Sequence, residues 1–266
     1  MTTARSHMRI GETAADVRRA AREGFTGLTV GRAQGYRQAN LVVVPAALTA
    51  EFLGFCEANP MACPVLGVGR PGSPALPAVG VDIDIRTDVP RYMIYENGVS
   101  TIAKTIIDEW RDDSVAIALG CWFGAEGALA AAGIRMRHVE LGVQGPLFRT
   151  SIPARPFGRF RTELVLSMRP FRDDDVDRVG DITGQMPLSH GGPLPIRSPE
   201  QAGIADPDKP DWGEPLRVEE GETPLFFNCG LTATAALLDA GVTSFITHSP
   251  GSMLVTDQRE GTTIRG

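Results

Sequence analysis

The sequence predicts an α/β fold made of two lobes, and three observations lead to this prediction. Residues 115–133 and 224–241 each combine an apolar strand, a short turn that contains a cysteine, and a helix that ends at a glycine. Two strand-to-helix units of this kind are typical of a parallel sheet covered by helices. Between them, residues 138–217 are rich in Arg, Pro and Asp and contain short strand candidates, which indicates a smaller α+β lobe.

We therefore expect a three-layer α/β/α lobe formed by residues 1–137 and 218–266, with the smaller α+β lobe of residues 138–217 inserted into it. Ligands of parallel sheets bind at the carboxyl ends of the strands, where helix N-termini also attract anions. Cys121 and Cys229 directly follow the two apolar strands. Both are expected at this edge of the sheet.

The first helix and the first strand follow from local signals. Thr13 and Asp16 have the spacing of a capping box, and Gly24 has that of a terminating glycine, which predicts a helix between them. An apolar run over residues 41–44, stopped by Pro45, predicts a buried strand. The apolar residues after it recur at helical spacing, so a second helix is expected there.

Later segments carry shorter patterns. The alternation over residues 81–85 predicts a half-exposed strand, and Asn97-Gly98 predicts a hairpin with a type I′ turn. Residues 164–168 predict another strand, and residues 173–182 predict a short helix. His138 lies in an alternating segment and is expected to be exposed on a strand.

Composition and charge exclude several classes of function. With 26 basic and 32 acidic residues the formal net charge is −6, and no basic cluster suits a nucleic acid. No apolar run approaches the roughly 20 residues that span a membrane. The first ten residues lack the apolar stretch of a secretory signal, so a cytoplasmic location is expected. Cysteine and histidine spacings match no metal motif, so neither a metal nor a cofactor is expected, although distant ligands could converge. A homo-oligomer is left open.

Two histidines and two cysteines are candidates for chemistry. His190 and His248 stand beside small residues whose backbone N–H groups suit an anion, which is typical of an acid or base site. A structural role is the alternative, about equally expected for His248 and slightly more expected for His190. Cys121 and Cys229 are expected at helix N-termini, where the helix dipole stabilises a thiolate. The alternative for each cysteine is a small buried side chain that fits where strand meets helix.

Two arginines stand beside hydroxyl side chains. Arg149 is followed by Thr150 and Ser151, and Arg169 comes shortly after a serine. Guanidinium groups with neighbouring hydroxyls suit the bidentate binding of a carboxylate. The alternative for each arginine is a surface salt bridge.

Short motifs in a fixed order resemble those of the D-glutamate cyclase family. They extend from about Gly35 to Asp257 and cover nearly the whole chain. The motifs are Gln38-Ala-Asn40-Leu, Cys63-Pro64, residues 86–92, Trp110-Arg-Asp-Asp113, Leu119-Gly-Cys121, residues 166–170, His190-Gly-Gly-Pro193, Cys229-Gly230 and Thr247-His-Ser-Pro-Gly251.

The resemblance implies both a fold and a reaction. It implies a two-lobed fold, with one α/β/α lobe and one smaller α+β lobe. In the family's reaction the amine of D-glutamate attacks its own side-chain carboxyl group and water leaves, giving 5-oxo-D-proline. We therefore expect a hydro-lyase, that is, a carbon–oxygen lyase, acting on a small carboxylate-bearing amino acid and its lactam. The alternatives are a cysteine-dependent hydrolase of a cyclic amide or imide, and a non-catalytic protein that binds a small carboxylate.

Closing such a ring needs a carboxylate clamp, a proton acceptor and a donor for the departing oxygen. Arg149 is the expected clamp, with Arg169 in reserve, and the backbone N–H groups of Cys121 and Gly230 are the expected oxyanion donors. The expected catalytic residues are His248, Glu126, His190, Cys121 and Cys229. The expected substrate contacts are Arg149, Thr150, Ser151, Arg169, Thr247, Ser249 and Gly230.

Four positions depart from the family pattern. Trp122, Ser151, Ala154 and Ser252 stand where the family tends to have Ser, Asn, Cys and His, respectively. All four are expected in the substrate crevice. There they would change donors, acceptors and volume together, which favours a substrate other than glutamate.

Overall fold

Two antiparallel sheets form the framework of the chain in a computed structural model that describes residues 11–260. The strands are β1 (Tyr36–Pro45), β2 (Val65–Val68), β3 (Tyr92–Glu96), β4 (Val99–Ala103), β5 (Ser114–Gly120), β6 (Leu147–Pro153), β7 (Glu163–Arg172), β8 (Glu222–Asn228), β9 (Ser244–His248) and β10 (Leu254–Arg259). The helices are α1 (Ala14–Arg22), α2 (Ala46–Ala58), α3 (Glu126–Ala131), α4 (Arg137–Leu141), α5 (Val176–Gly184) and α6 (Leu231–Asp239).

The larger sheet has seven strands in the order β2-β5-β1-β9-β3-β4, with β10 paired to β1. Its strand pairs are antiparallel, so the prediction of a parallel sheet is wrong. The two strand-to-helix units do exist as β5 with α3 and β8 with α6. Their strands are not neighbours, however, because β5 pairs with β1 and β2 whereas β8 pairs with β7. The α/β class is therefore correct, and the strand direction is not.

The smaller sheet has three strands in the order β6-β7-β8. Strand β8 lies beyond the boundary predicted at residues 217 and 218, yet it pairs with β7 along seven residue positions. The boundary between sheets therefore falls after β8. Helix α6 then packs against β7, where the hydroxyl of Thr232 accepts a hydrogen bond from the Val165 N–H at 3.0 Å.

Both faces of the larger sheet are covered around β1. On one face Val42 and Val44 of β1 pack against Phe52 and Phe55 of α2 and against the apolar side of α6. On the other face the cluster that contains Leu41 and Val43 is completed by Leu76, Val79, Ile83, Ile85 and Val89. These five residues lie between β2 and β3, in a segment without regular helix. An irregular segment thus covers the face where a second helical layer is expected.

The elements with local signals form as predicted. The hydroxyl of Thr13 accepts a hydrogen bond from the Asp16 N–H, and the Asp16 carboxylate accepts one from the Thr13 N–H, so α1 begins with a capping box. Asn97 and Gly98 have φ angles of +51° and +81°, as a type I′ turn requires. The strand over residues 164–168 is part of β7, and α5 follows it.

The strand predicted over residues 81–85 is wrong. Asp84 makes one isolated bridge to Ala75, and the segment is otherwise irregular. Instead of alternating on a strand, Asp82 and Asp84 each pair with an arginine. Asp82 binds Arg18, and Asp84 binds Arg86 at 2.8 Å.

Candidate active site

A small cavity of about 30 Å³ lies where the two sheets meet. Asn40 of β1 and His248 of β9 reach it from the larger sheet, and Ser167 and Arg169 of β7 reach it from the smaller sheet. Cys121 and Cys229, the residues that follow β5 and β8, complete it from both sides. His248 and the two cysteines stand at or just after strand ends, whereas the other three side chains lie within β1 and β7, so both sheets fix the geometry of the cavity.

Asn40 joins the strands on the cavity's floor. Its side-chain N–H donates to the Gly120 carbonyl at 2.6 Å, which ties β1 to the end of β5 and fixes the amide plane. Gly230 allows α6 to start beside this amide, because a Cβ at Gly230 would lie 2.2 Å from the Asn40 nitrogen. A side chain at residue 230 would therefore displace Asn40.

Three buried hydrogen-bond donors around the cavity lack partners within residues 11–260. The atoms without partners are Nε and Nη1 of Arg169, Oγ of Ser167 and Nε1 of Trp122. Buried polar groups are nearly always hydrogen-bonded, so such a group needs an explanation. The Arg169 guanidinium carbon lies 5.4 Å from the centre of the Trp122 ring. Burial lowers the pKa of Arg169 to about 10, which leaves it positively charged at neutral pH.

His190 enters the cavity from a strained turn. Its φ angle is +71°, a left-handed conformation that is uncommon for a residue other than glycine. Its Nδ1 lies 2.8 Å from the Met61 carbonyl oxygen. Burial lowers the pKa of His190 to about 4, so its ring is neutral at neutral pH.

His248 stands at the end of β9, opposite Leu41 of β1. The Leu41 N–H donates to its Nδ1 at 3.2 Å, and the Leu41 carbonyl oxygen lies farther from the same atom, at 3.4 Å. Burial lowers the pKa of His248 to about 4. The structure thus brings together two neutral histidines, His190 and His248, which are both predicted site residues.

Cys121 is buried and Cys229 is half-buried, each beside a helix start as expected, but neither thiol is activated. The backbone N–H groups of Phe123 and Leu231 lower the pKa values of Cys121 and Cys229, respectively. Burial nevertheless raises the pKa of Cys229 to about 11 and raises that of Cys121 well above its ordinary value. Desolvation therefore outweighs the effect of the helix start on both thiols.

Glu126 lies outside the cavity lining, behind Trp122. Its carboxyl group accepts a hydrogen bond from the Gly31 N–H at 2.7 Å, and its other oxygen is 2.9 Å from Nε2 of His138. The prediction that His138 is exposed on a strand is wrong, because the residue lies in α4 and is buried. The His138 ring packs 5.5 Å from the Trp122 ring, centre to centre.

The predicted carboxylate clamp does not reach the cavity. Arg149 is 38% exposed and pairs with Glu163 and Asp239 on the surface. The hydroxyl of Thr150 donates to the Leu164 carbonyl at 2.8 Å, and Ser151 is exposed. Arg149 therefore forms surface ion pairs, which is the alternative given for it in the sequence. Arg169, expected only in reserve, is the arginine that lines the cavity.

The remaining predicted residues flank the cavity or lie away from it. The Thr247 hydroxyl donates to the His248 carbonyl at 2.9 Å, and the Ser249 N–H donates to the Arg91 carbonyl at 2.8 Å. Neither side chain lines the cavity. Among the four departures from the family pattern, Trp122 lines it. Ser252 donates to the Gly27 carbonyl instead.

Three cavity residues, Asn40, Gln144 and Asn228, have no predicted role in the sequence analysis. Asn40 carries a readable signal, since it is a polar residue at the start of the apolar run of β1.

Within residues 11–260, no group of three or more His, Cys, Asp or Glu side chains is arranged to hold a metal ion. In the same range, no helix is long and apolar enough to cross a membrane.

An α/β protein with a buried cavity that presents an arginine and neutral donors has the chemistry of a binding site for a small anion. Residues 115–257 match the model of the D-glutamate cyclase family. The chain belongs to this family.

Its curated relatives are similar over nearly their whole length and carry the name "putative hydro-lyase". The protein from Jannaschia sp. (strain CCS1) is 49% identical over 93% of this chain and 94% of its own. Relatives from Gluconacetobacter diazotrophicus and Burkholderia lata are 47% and 46% identical over 91% and 92% of this chain, and over 88% and 96% of their own. A solved nitrogen repressor-like protein from Methanococcus jannaschii covers 93% of this chain and 99% of its own at 10% identity. Its TM-score of 0.38 is too low to indicate a shared fold.

Proposed function

We propose that the protein is a hydro-lyase that interconverts a small carboxylate-bearing amino acid and its cyclic lactam, with loss or gain of water. One observation carries the proposal: three buried donors, on Arg169, Ser167 and Trp122, border one cavity and lack partners within the described residues. A ligand carboxylate offers the acceptor oxygens that these donors need. The family's reaction, with D-glutamate and 5-oxo-D-proline, supplies the first substrate pair to test.

Charge supports a carboxylate over a neutral ligand. Arg169 keeps its positive charge at neutral pH, and the cavity's other titratable groups, His190, His248, Cys121 and Cys229, are neutral there. An anionic group beside Arg169 would therefore complete an ion pair with a buried guanidinium. Such pairs are stronger than neutral hydrogen bonds.

The size of the cavity adds a condition. A cavity of about 30 Å³ has room for about two water molecules. A whole amino acid is larger, so substrate entry requires side chains of the wall to move. Trp122 is the largest side chain in the wall, and it stands where the family tends to have serine, so we expect it to set the size limit for substrates.

The decisive test is direct conversion. The purified protein is incubated with D-glutamate and, separately, with 5-oxo-D-proline, and both compounds are followed by chiral chromatography coupled to mass spectrometry. Interconversion that is lost in Arg169→Met and kept in Arg149→Ala supports the proposal, because the second arginine lies outside the cavity. Absence of conversion in both directions, with the protein folded, would refute this substrate pair.

A further inference from the structure

Two histidines of the cavity have backbone partners of opposite kinds. The Nδ1 atom of His190 lies 2.8 Å from the Met61 carbonyl oxygen. A carbonyl oxygen only accepts hydrogen bonds, so this nitrogen carries the ring proton. The neutral His190 ring therefore has an unprotonated Nε2, which is a proton acceptor.

His248 shows the reverse arrangement. The backbone N–H of Leu41 points at its Nδ1 from 3.2 Å, and a backbone N–H only donates. A proton on this nitrogen would face the Leu41 proton directly. The carbonyl oxygen of Leu41, at 3.4 Å, is the more distant group. Nδ1 of His248 therefore offers its lone pair, and the ring proton lies on Nε2.

We propose that the two histidines divide the chemistry of ring closure: Nε2 of His190 takes up and returns protons, and the Nε2–H of His248 donates a hydrogen bond to the oxygen that becomes negative. This inference rests on the proposed function. When the amine attacks the side-chain carboxyl carbon, an N–C bond forms and negative charge develops on the carboxyl oxygen. A neutral imidazole N–H stabilises such charge without giving up its proton.

The protons balance without any outside reagent. In ring closure the ammonium nitrogen loses two protons in all, and the oxygen that departs as water gains two while the C–O bond breaks. Both protons pass in turn from nitrogen to Nε2 of His190 and from there to oxygen, so His190 ends as it began. A bound carboxylate beside the ring favours the transient imidazolium, because an opposite charge raises the pKa of a histidine.

Backbone strain at His190 is independent support for this role. A residue with a Cβ in the left-handed region costs free energy that glycine would largely avoid. The turn nonetheless places histidine there, with a φ angle of +71°, and the next residue, Gly191, is also left-handed at +68°. The Gly191 N–H donates to the Met186 carbonyl at 3.0 Å, which fixes the turn. The strain is retained at a residue whose ring enters the cavity.

The first test reads the tautomers directly, without substrate. Two-bond proton–nitrogen correlation spectra of the ¹⁵N-labelled protein at pH 7 distinguish the two neutral ring forms, and His190→Gln and His248→Gln assign the signals. We expect the proton on Nδ1 in His190 and on Nε2 in His248. The same tautomer in both rings, or a proton on both nitrogens of either ring, would overturn the inference.

The second test uses glutamine as a partial mimic. Glutamine at residue 248 keeps an N–H donor near the position of Nε2, but glutamine at residue 190 cannot carry a proton across. We expect His248→Gln to lose about tenfold in kcat and His248→Leu to lose at least a hundredfold. Both His190→Gln and His190→Leu should lose at least a hundredfold. Equal activity of the two glutamine variants would contradict the division of roles.

The two tests separate this inference from the function on which it rests. Opposite tautomers without conversion of D-glutamate or 5-oxo-D-proline would support the assignment of the rings and refute the substrate pair. Conversion in a protein with two identical tautomers would refute the assignment and leave the proposed function standing.

Discussion

Glu126 and His138 form a hydrogen-bonded pair in the interior, with 2.9 Å between the carboxyl oxygen and Nε2 and both side chains 2% exposed. Burial raises the pKa of Glu126 to about 8 and lowers that of His138 well below its ordinary value. At pH 7 the pair is therefore mostly neutral, with the Glu126 O–H donating to Nε2 of His138. The Gly31 N–H binds the other carboxyl oxygen.

This pair predicts a pH dependence of stability. Glu126 keeps its proton to about pH 8 when folded but releases it near its ordinary value of 4.5 when unfolded. The Glu126 carboxyl thus binds fewer protons in the unfolded chain between these values, so its contribution to stability falls as the pH rises through them. We expect the titration of Glu126 to lower the free energy of unfolding by on the order of 3 kcal/mol between pH 5 and pH 8. Glu126→Gln has no such proton to release, so its stability should fall less over this range.

Urea unfolding at several pH values between 5 and 8 measures this difference. Glu51→Gln is the matched control, because the Arg159 N–H lowers the pKa of Glu51, which keeps that titration below this range. It should leave the slope unchanged. Equal slopes for the wild-type protein and Glu126→Gln would show that Glu126 is ionised when folded.

Arg169 should reduce stability while it supports activity. Its charge is buried with two nitrogens unpartnered in the described residues. Replacing such a charge by an apolar side chain of similar length is often neutral or stabilising. We expect Arg169→Met to unfold at the same or a higher temperature while kcat/KM for D-glutamate falls at least a hundredfold. The kcat/KM of Arg169→Lys should lie between those of the wild-type protein and Arg169→Met, because lysine keeps the charge but loses the planar guanidinium group.

Thermal unfolding and steady-state kinetics of the same preparations test this pair of effects. Arg149→Ala is the matched control, because it removes a partly exposed arginine from the neighbouring strand. Exposed ion pairs contribute about 0–1 kcal/mol, so this variant should change stability little and keep its activity. A large loss of stability in Arg169→Met would instead identify a structural arginine.

The comparison of these two arginines shows where sequence reasoning stops. Both stand near hydroxyl residues, and Arg149 is the one predicted from the sequence to bind the carboxylate. In the folded chain α6 lies across the smaller sheet, with Leu231 at the cavity and Asp239 beside Arg149 at its other end. Nine helical residues extend roughly 13 Å. The position of each arginine along this helix depends on strand pairing, which local patterns do not contain.

The same reason separates correct from wrong predictions of the fold. The capping box of α1 and the turn at Asn97 depend on neighbouring residues, and both are confirmed. Strands β5 and β8 have similar local patterns, but they pair in different sheets. His138 is buried by contacts with Glu126, which begins a separate helix, and an alternating pattern does not reveal such contacts.

The cysteines should resist chemical modification. Burial raises the pKa values of Cys121 and Cys229, and the thiolate is the reactive form. We expect iodoacetamide at pH 7.5 to leave both residues unmodified for as long as it takes to inactivate an enzyme whose catalytic cysteine is an exposed thiolate. Peptide mass spectrometry measures the modification of each cysteine. Rapid modification that substrate prevents would instead support the hydrolase alternative.

Serine variants test the same point by activity. Serine is close to cysteine in size, and its hydroxyl suits the start of a helix, so Cys121→Ser and Cys229→Ser should fold. We expect each to keep kcat within about tenfold, because the proposed ring closure needs no thiol nucleophile. Loss of all activity in one variant, with burst kinetics in the wild-type protein, would indicate a covalent route.

Gly230 should not accept a side chain without a shift of its neighbours. A Cβ there would lie 2.2 Å from the Asn40 amide nitrogen, whose hydrogen bond to Gly120 fixes the floor of the cavity. We expect Gly230→Ala to cost about 1–3 kcal/mol and to lower kcat/KM, because either the amide or the start of α6 must move. The matched control is Gly180→Ala in α5, where nothing lies within 4 Å of the added Cβ. Alanine there should stabilise the helix by up to about 1 kcal/mol. Equal effects of the two substitutions on unfolding in urea would show that Asn40 is not held by this contact.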